Sequence, residues 1–384
     1  MIYESLGVQR FMKKELELYI HIPFCVKKCD YCDFLSGPAG TECQRAYVDA
    51  LLREIECCGE FSDYGISSIF IGGGTPSILP GEWIAEIMSG IREKFVMDQE
   101  AEISIEANPG TVDRRKLELY RKAGINRISF GCQSADNREL RVLGRIHTWE
   151  QFLDSYGEAR RAGFKNINVD LMSGLPGQSR RTWEETLRKT ALLNPEHISA
   201  YSLIIEEGTP FAKMELELPD EEEERAMYED THKILEEYGY HQYEISNYAK
   251  EGRECRHNVG YWRRTEYLGL GLGSASLMNE TRFSNTGSME LYLRHSGKVE
   301  MIREQVEKLE KQDQMGEYMI LGLRMINGVS LKQFRKTFGT DMYEAYGDII
   351  EKYAGMGFLE QDGDFLRFGR DGISVSNVIL AEFV

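Results

Sequence analysis

Leu18-Tyr19-Ile20-His21-Ile22-Pro23-Phe24-Cys25-Val26-Lys27-Lys28-Cys29-Asp30-Tyr31-Cys32-Asp33-Phe34 carries both the start of the fold and its chemistry. The first five residues form a short, mostly apolar run closed by a proline, which reads as a strand that stops. Directly after it, Cys25, Cys29 and Cys32 fall within eight residues. Three thiolates so close on one loop can hold three corners of an iron–sulfur cube, and no fourth cysteine lies near them. One iron would stay open to a chelating amine and carboxylate, and through them to electron transfer.

Other uses of these thiols fit less well. A zinc site takes four protein ligands from paired Cys/His spacings, and the only nearby fourth candidate is His21, on the strand side of the turn. A disulfide framework is disfavoured because 8 cysteines in 384 residues are sparse and no apolar signal core precedes them. The thiols are expected to be reduced and the protein cytoplasmic.

Outward from this loop, short apolar runs ending in glycine, proline or a polar residue alternate with amphipathic stretches, the sequence form of a parallel α/β sheet. Strands are expected at 18–22, 68–71, 102–106, 127–130, 166–171 and 197–203, with helices near 42–60, 81–95, 113–123, 149–162 and 180–193. Six β/α units make an incomplete (β/α)6 barrel, open at one side, whose chemistry belongs at the strands' C-terminal ends. The candidate residues fall there. Cys25 follows the first strand, Gly72-Gly73-Gly74-Thr75-Pro76 the second, Glu106-Ala107-Asn108-Pro109-Gly110 the third and Gln133 the fourth, while Asp170 closes the fifth.

The expected organisation is an N-terminal arm at 1–17, the partial barrel at 18–240, a connecting region at 241–300 and a mostly helical, winged-helix-like domain at 301–384. The acidic run Asp220 to Glu224 suits a first helical turn, and 243–248 reads as a strand. A net charge of −17 removes the basic surface that nucleic acid requires, and Lys332, Arg335 and Lys336 are the only short basic cluster of the last module. The same charge disfavours simple adsorption to an anionic bilayer. No run approaches the roughly 18 apolar residues of a membrane span.

Cys-x-x-x-Cys-x-aromatic-Cys, with Tyr31 before the last cysteine, resembles the cluster loop of the radical S-adenosylmethionine (radical SAM) enzymes. The fuller string from Tyr19 to Phe34 resembles the oxygen-independent coproporphyrinogen III oxidase-like proteins among them, and the resemblance runs from about Leu18 to the C-terminus. It implies a [4Fe-4S] cluster on Cys25, Cys29 and Cys32, with S-adenosylmethionine on the open iron. Alone, the triple glycine is a tight turn without phosphate-loop spacing. By the resemblance, Gly73, Gly74 and Thr75 belong to the segment that receives the methionine amino group. Glu106, Gln133, Arg145 and Asp170 match cofactor-contacting positions, in the strings Ile-Glu-Ala-Asn-Pro-Gly, Phe-Gly-Cys-Gln-Ser, Leu-Gly-Arg-Ile-His and Asn-Val-Asp-Leu-Met-Ser-Gly. Tyr19 is similarly placed before the loop. Carboxylates and an amide accept hydrogen bonds from ribose hydroxyls, and a guanidinium can grip a carboxylate bidentately. The implied chemistry is one electron passed from the reduced cluster to the sulfonium, giving methionine and a 5′-deoxyadenosyl radical. Phe24, Tyr31 and Phe34 would provide apolar cover.

That family divides. Authentic coproporphyrinogen oxidases carry a long N-terminal arm and a further cysteine two residues after the third; here 24 residues precede Cys25 and position 34 is phenylalanine. Cys255-Arg256-His257-Asn258-Val259-Gly260-Tyr261-Trp262 instead resembles the His-Asn-x-x-Tyr-Trp signature of the heme chaperone branch. This implies heme as a further cofactor, with His257 as its axial ligand beside Tyr261 and Trp262. It also implies transfer of heme to acceptor proteins, with a peripheral site of action at the inner membrane face. Ala275 stands where that branch commonly has a second histidine, so no role transfers to it. The alternatives are enzymatic: oxidative decarboxylation of coproporphyrinogen III propionates to vinyls, or radical modification or degradation of heme. A homodimer is compatible with each.

Overall fold

A computed structural model describes residues 13–384, and its first strand sorts its side chains by alternation. β1 (Lys14–Ile22) turns Leu16, Leu18, Ile20 and Ile22 into the main apolar core, and Glu17, Tyr19 and His21 to the opposite face. It begins four residues before the expected strand, inside the stretch read as an arm. β2 (Tyr64–Gly73), β3 (Met97–Ala107), β4 (Arg127–Gln133), β5 (Ile167–Ser173) and β6 (His197–Ser202) follow, each parallel to the one before. Between them lie α1 (Thr41–Cys57), α2 (Gly81–Lys94), α3 (Arg114–Lys122), a short α4 (Asn137–Val142), α5 (Trp149–Arg161) and α6 (Arg180–Leu192). The six β/α units of a partial barrel are therefore present. Their helices are amphipathic: α1 buries Tyr47, Val48, Leu51 and Ile55 against the sheet. α7 (Glu221–Glu237) opens on the acidic run, with the Asp220 carboxylate accepting from the Glu223 N–H at 2.9 Å.

Beyond residue 240 the chain rejoins the sheet at both edges. β7 (His241–Gln242) and β8 (Asn247–Ala249) extend the β6 side. The strand expected at 243–248 is thus split, because the Glu244 carboxylate captures the Ser246 N–H (2.8 Å) and the Asn247 amide (2.6 Å) and competes with the ladder. After α8 (Arg256–Trp262), β9 (Tyr267–Leu270) runs parallel to β1, and β10 (Ala275–Met278), β11 (Thr281–Asn285) and, past α9 (Met289–His295), β12 (Arg303–Lys308) add antiparallel strands. Among the described residues this is one twelve-stranded sheet, in the order β12-β11-β10-β9-β1-β2-β3-β4-β5-β6-β8-β7.

The C-terminal segment has its own core, in which Met319, Phe334, Phe338, Tyr346 and Leu366 meet. It comprises α10 (Lys311–Gly322), β13 (Val329–Ser330), α11 (Leu331–Phe338), α12 (Met342–Gly355), β14 (Leu359–Asp362), β15 (Phe365–Phe368) and α13 (Ser376–Leu380), with a three-stranded sheet ordered β13-β15-β14. Arg264, just past α8, ties it to the barrel through Glu317 at 2.9 Å.

The inner face of the barrel is polar rather than aliphatic. Glu17, Ser68, Glu102, Ser104, Arg127, Asn168, His197 and Ser199 all lie on it and are almost wholly buried. α8 reaches this face at mid-strand height, where His257 meets Ser68 and the Cys255 Sγ meets Glu102. The C-terminal ends of the strands are left for the cavity described next.

Candidate cluster and cofactor site

The cysteine loop is closed at its base by two backbone bonds, Cys25 N–H to the Gly37 carbonyl (3.1 Å) and Gly37 N–H to the Pro23 carbonyl (3.0 Å). Its middle is tied to neighbouring loops, with Asp30 N–H donating to Leu143 and Phe211 N–H to Asp30. Cys25, Cys29 and Cys32 line one cavity of about 420 Å³, a size suited to a small organic ligand. Burial raises the Cys25 and Cys32 thiols above their ordinary range. Among the described residues no three His, Cys, Asp or Glu side chains converge as ligands of a single metal ion.

The glycines following β2 bring backbone against that loop. Gly74 N–H donates to the Ile22 carbonyl (2.9 Å) and Thr75 N–H to the Phe24 carbonyl (2.6 Å). A Cβ on Gly74 would lie 2.5 Å from the Phe24 oxygen, and one on Gly73, at φ +109°, would lie 2.5 Å from the His21 ring. Gly73 N–H in turn donates to Glu106 Oε2 at 3.1 Å. Burial, with the neighbouring Asp170 adding to it, pushes the Glu106 carboxyl up to about 8, and burial raises Asp170 too.

Gln133 sits at φ +70°, beyond a bulge in the β4–β5 pairing at Cys132, and this left-handed backbone turns its side chain into the cavity. Such a conformation costs about 1–2 kcal/mol for a side chain with a Cβ, the kind of strain that collects at functional sites. Arg145 lines the cavity but differs from the expected free carboxylate grip. Its Nη2 donates to Asn108 Oδ1 (2.7 Å) and the Gly131 carbonyl (2.6 Å), and its Nη1 approaches Cys29 Sγ at 3.6 Å. The guanidinium is thus a brace and a positive charge under the cysteine loop.

Of the candidate residues, all but Tyr19 and His257 line this cavity. Tyr19 acts one step back: its hydroxyl donates to His21 Nδ1 (3.0 Å), and His21 Nε2–H holds the Leu35 carbonyl at the far end of the loop (2.9 Å). That occupies both His21 nitrogens and removes it as a metal ligand. Phe24 is buried against Tyr47, whereas Tyr31 and Phe34 line the cavity, Phe34 with 61% of its surface exposed.

His257 lies apart from that cavity. It lies beside Ser68, five strand residues or about 16 Å below Gly73. Its Nδ1 pairs with the Ser68 hydroxyl (2.8 Å), its Nε2 with the Tyr261 hydroxyl (3.1 Å), and its ring stacks on Phe70 at 5.3 Å. It is 1% exposed, with both ring nitrogens engaged within the protein.

Three contributors were absent from the sequence-derived set. Asn108 bridges Thr75 Oγ1 (2.7 Å) to Arg145, Ser129 donates to Asp170 (2.9 Å), and His21 clamps the loop. Asn108 lay in the quoted Glu106 string; Ser129 is marked only by the inward phase of β4.

A partial barrel whose strand ends gather three loop thiols, a glycine turn and buried carboxylates defines a radical SAM protein. The chain matches the Radical SAM superfamily model over residues 19–190 and the HemN C-terminal domain model over 309–375. It is 34% identical to the heme chaperone HemW of Bacillus subtilis over 95% of this chain and 98% of that protein, and 36% identical to the heme chaperone HemW of Haemophilus influenzae over 96% and 98%. The structure of Escherichia coli coproporphyrinogen III oxidase (HemN), a radical SAM enzyme, superposes with a TM-score of 0.85 at 24% identity, covering 97% of this chain and 90% of that one. The chain belongs to the HemN-like radical SAM family that includes these HemW relatives.

Proposed function

We propose that this protein holds a [4Fe-4S] cluster and S-adenosylmethionine in the cavity, binds heme, and hands it to acceptor proteins from the cytoplasmic side of a membrane. The observation that carries the cofactor part is the convergence of Cys25, Cys29, Cys32, Gly73, Gly74, Thr75, Glu106, Gln133 and Asp170 on one cavity from five strand ends. The heme part is supported by near full-length likeness to relatives named heme chaperones. No described helix is long and apolar enough to cross a membrane.

The three thiolates would bind three irons, and the bound cluster supplies single electrons to the sulfonium. The chain's own residues orient the ligand. Gly73 and Gly74 bring backbone close to its amino group, while Glu106, Gln133 and Asp170 offer acceptors for ammonium and hydroxyl protons. Arg145 adds positive charge beside Cys29, which favours the reduced, more negative cluster.

Anaerobic reconstitution tests this. About four irons and four sulfides per chain, S-adenosylmethionine binding and saturable hemin binding are expected. Vinyl products formed from supplied coproporphyrinogen would replace the chaperone reading with the oxidase one. Loss of the porphyrin spectrum in step with 5′-deoxyadenosine would replace it with heme modification. Stoichiometric zinc would overturn the cofactor assignment altogether.

A further inference from the structure

Below the cavity, a chain of buried side chains passes hydrogen bonds in one direction only. Cys255 N–H, immediately before α8, donates to the Tyr243 hydroxyl oxygen (3.3 Å); among the described residues the other partner of that hydroxyl is His197 Nε2 (2.8 Å), so the Tyr243 proton finds an acceptor when it goes to His197. His197 must then carry its proton on Nδ1, which faces Asn168 Oδ1 at 2.6 Å; Ser199 donates to the same oxygen at 3.2 Å. With two donors on its oxygen, the Asn168 amide has to turn its NH2 the other way. There it donates to Asp170 Oδ1 and to Ser129 Oγ, both at 2.7 Å, and Ser129 donates onward to Asp170 Oδ2 at 2.9 Å. Each ring and hydroxyl has one proton to give, and this is the direction in which every proton from Tyr243 to Ser129 meets an acceptor.

We propose that Tyr243 and His197 are positioning residues that lock the Asn168 amide and thereby present Asp170 to the cavity as a hydrogen-bond acceptor. This rests on Asp170 contacting S-adenosylmethionine. Both oxygens of Asp170 receive one protein donor, which leaves the remaining lone pairs for a ligand hydroxyl. Without the Tyr243 hydroxyl, His197 can move its proton to Nε2 and turn Nδ1 into an acceptor facing another acceptor. The Asn168 amide then flips and sets its oxygen against Asp170. Water cannot repair the break, because Asn168, His197 and Tyr243 are at most 7% exposed.

The start of this chain is also where other parts of the molecule meet. Cys255 precedes the His257-Asn258 motif, and the Tyr243 carbonyl accepts from Ile326 N–H (3.1 Å) of the C-terminal domain. Within the His-Asn-x-x-Tyr-Trp segment, His257 is the side chain buried at the barrel floor, while Arg256 just before it is exposed.

Equilibrium dialysis of S-adenosylmethionine against the reconstituted protein tests the proposal, with iron content and thermal midpoint measured alongside. Tyr243→Phe and His197→Met should weaken binding about tenfold, the cost of one or two misdirected buried hydrogen bonds, with iron content at the parent level. His197→Gln, which keeps one donor and one acceptor, should recover most of that loss. Asp170→Ala must weaken binding too; parental affinity there would refute Asp170 as a contact and the site assignment with it. If Asp170→Ala weakens binding while Tyr243→Phe does not, the relay is wrong and the site stands. Equal losses in His197→Gln and His197→Met would also overturn it, since packing alone would then explain both. Should His197→Met fail to load iron, Tyr243→Phe against His197→Gln decides alone.

Discussion

Truncating His257 to alanine distinguishes a structural histidine from a heme ligand, because the two roles predict losses in different measurements. The ring is stacked on Phe70 (5.3 Å, 23° between planes) and meets Tyr261 edge-on at 4.7 Å. Removing a fully buried aromatic ring and leaving a cavity costs about 3–5 kcal/mol. Ser68 and Tyr261 would each lose a hydrogen-bond partner, roughly 1 kcal/mol apiece, although Ser68 keeps Glu17 at 3.0 Å. A loss near 4 kcal/mol is a large fraction of the roughly 5–15 kcal/mol that holds a typical domain folded. With a urea dependence of about 2–3 kcal/mol/M, the midpoint should fall by about 1.3–2 M. Hemin titration of the folded variant should give the parent's affinity and absorption spectrum. A variant with the parent's urea midpoint and no hemin spectrum would refute this placement of His257 and restore it as ligand.

Three further outcomes are expected. Gly74→Ala drives a Cβ to 2.5 Å from the Phe24 oxygen, a backbone atom that cannot swing aside, so iron loading after reconstitution should drop several-fold while α10 to α13 remain folded by circular dichroism and proteolysis. Glu17, buried beside His257, is pushed up to about 9 chiefly by burial, so between about 4.5 and 9 the folded chain keeps a proton the unfolded chain has lost, and stability falls as pH rises through that window. Glu17→Gln should abolish that alkaline slope, seen as a urea midpoint that gains on the parent between about pH 6 and 9. Conversely, burial first and Arg127 second lower His257 to about 3, so between about 6.5 and 3 the unfolded chain takes up a proton the folded one refuses. Stability should therefore fall with acidification there, and the dependence should weaken in His257→Ala.

Much of this architecture was legible because strand, loop and helix phases agreed along the first 200 residues. The expected helices at 81–95 and 149–162 match α2 (Gly81–Lys94) and α5 (Trp149–Arg161) nearly end to end, since each is amphipathic and has clear boundaries. Most of the residues that line the cavity were legible for a related reason, as they follow apolar runs and so sit at strands' C-terminal ends; Arg145, between α4 and α5, was marked only by the resemblance of its Leu-Gly-Arg-Ile-His string. Tyr19 was found in sequence but not in role, because only the tertiary pairing with His21 and Leu35 shows that it acts through another residue. Between residues 240 and 310 one strand was expected, at 243–248, and β8 (Asn247–Ala249) overlaps its end; β7 and β9 to β12 were not expected, and at two to six residues such short pairings carry little periodicity to detect.

His257 shows where local pattern gives out. A histidine flanked by asparagine, tyrosine and tryptophan has the composition of a heme pocket, and the same residues equally suit a polar plug. What separates the two is the inner face of the barrel, where Glu17, Ser68, Glu102 and Arg127 occupy the inward phase of four strands. Alternating polar residues read from sequence as a solvent-facing side, but a barrel interior that is polar and dry must find partners of its own. α8 supplies several: His257 to Ser68, the Cys255 thiol and the Arg256 N–H to Glu102, and the Cys255 N–H to Tyr243. The Glu17 and His257 side chains stand 3.8 Å apart, yet burial drives one up to about 9 and the other down to about 3, so both are neutral near pH 7 and the contact is not an ion pair. The buried charge of this floor is carried by Arg127, which counters part of the rise that burial imposes on Glu106 and Asp170 above it.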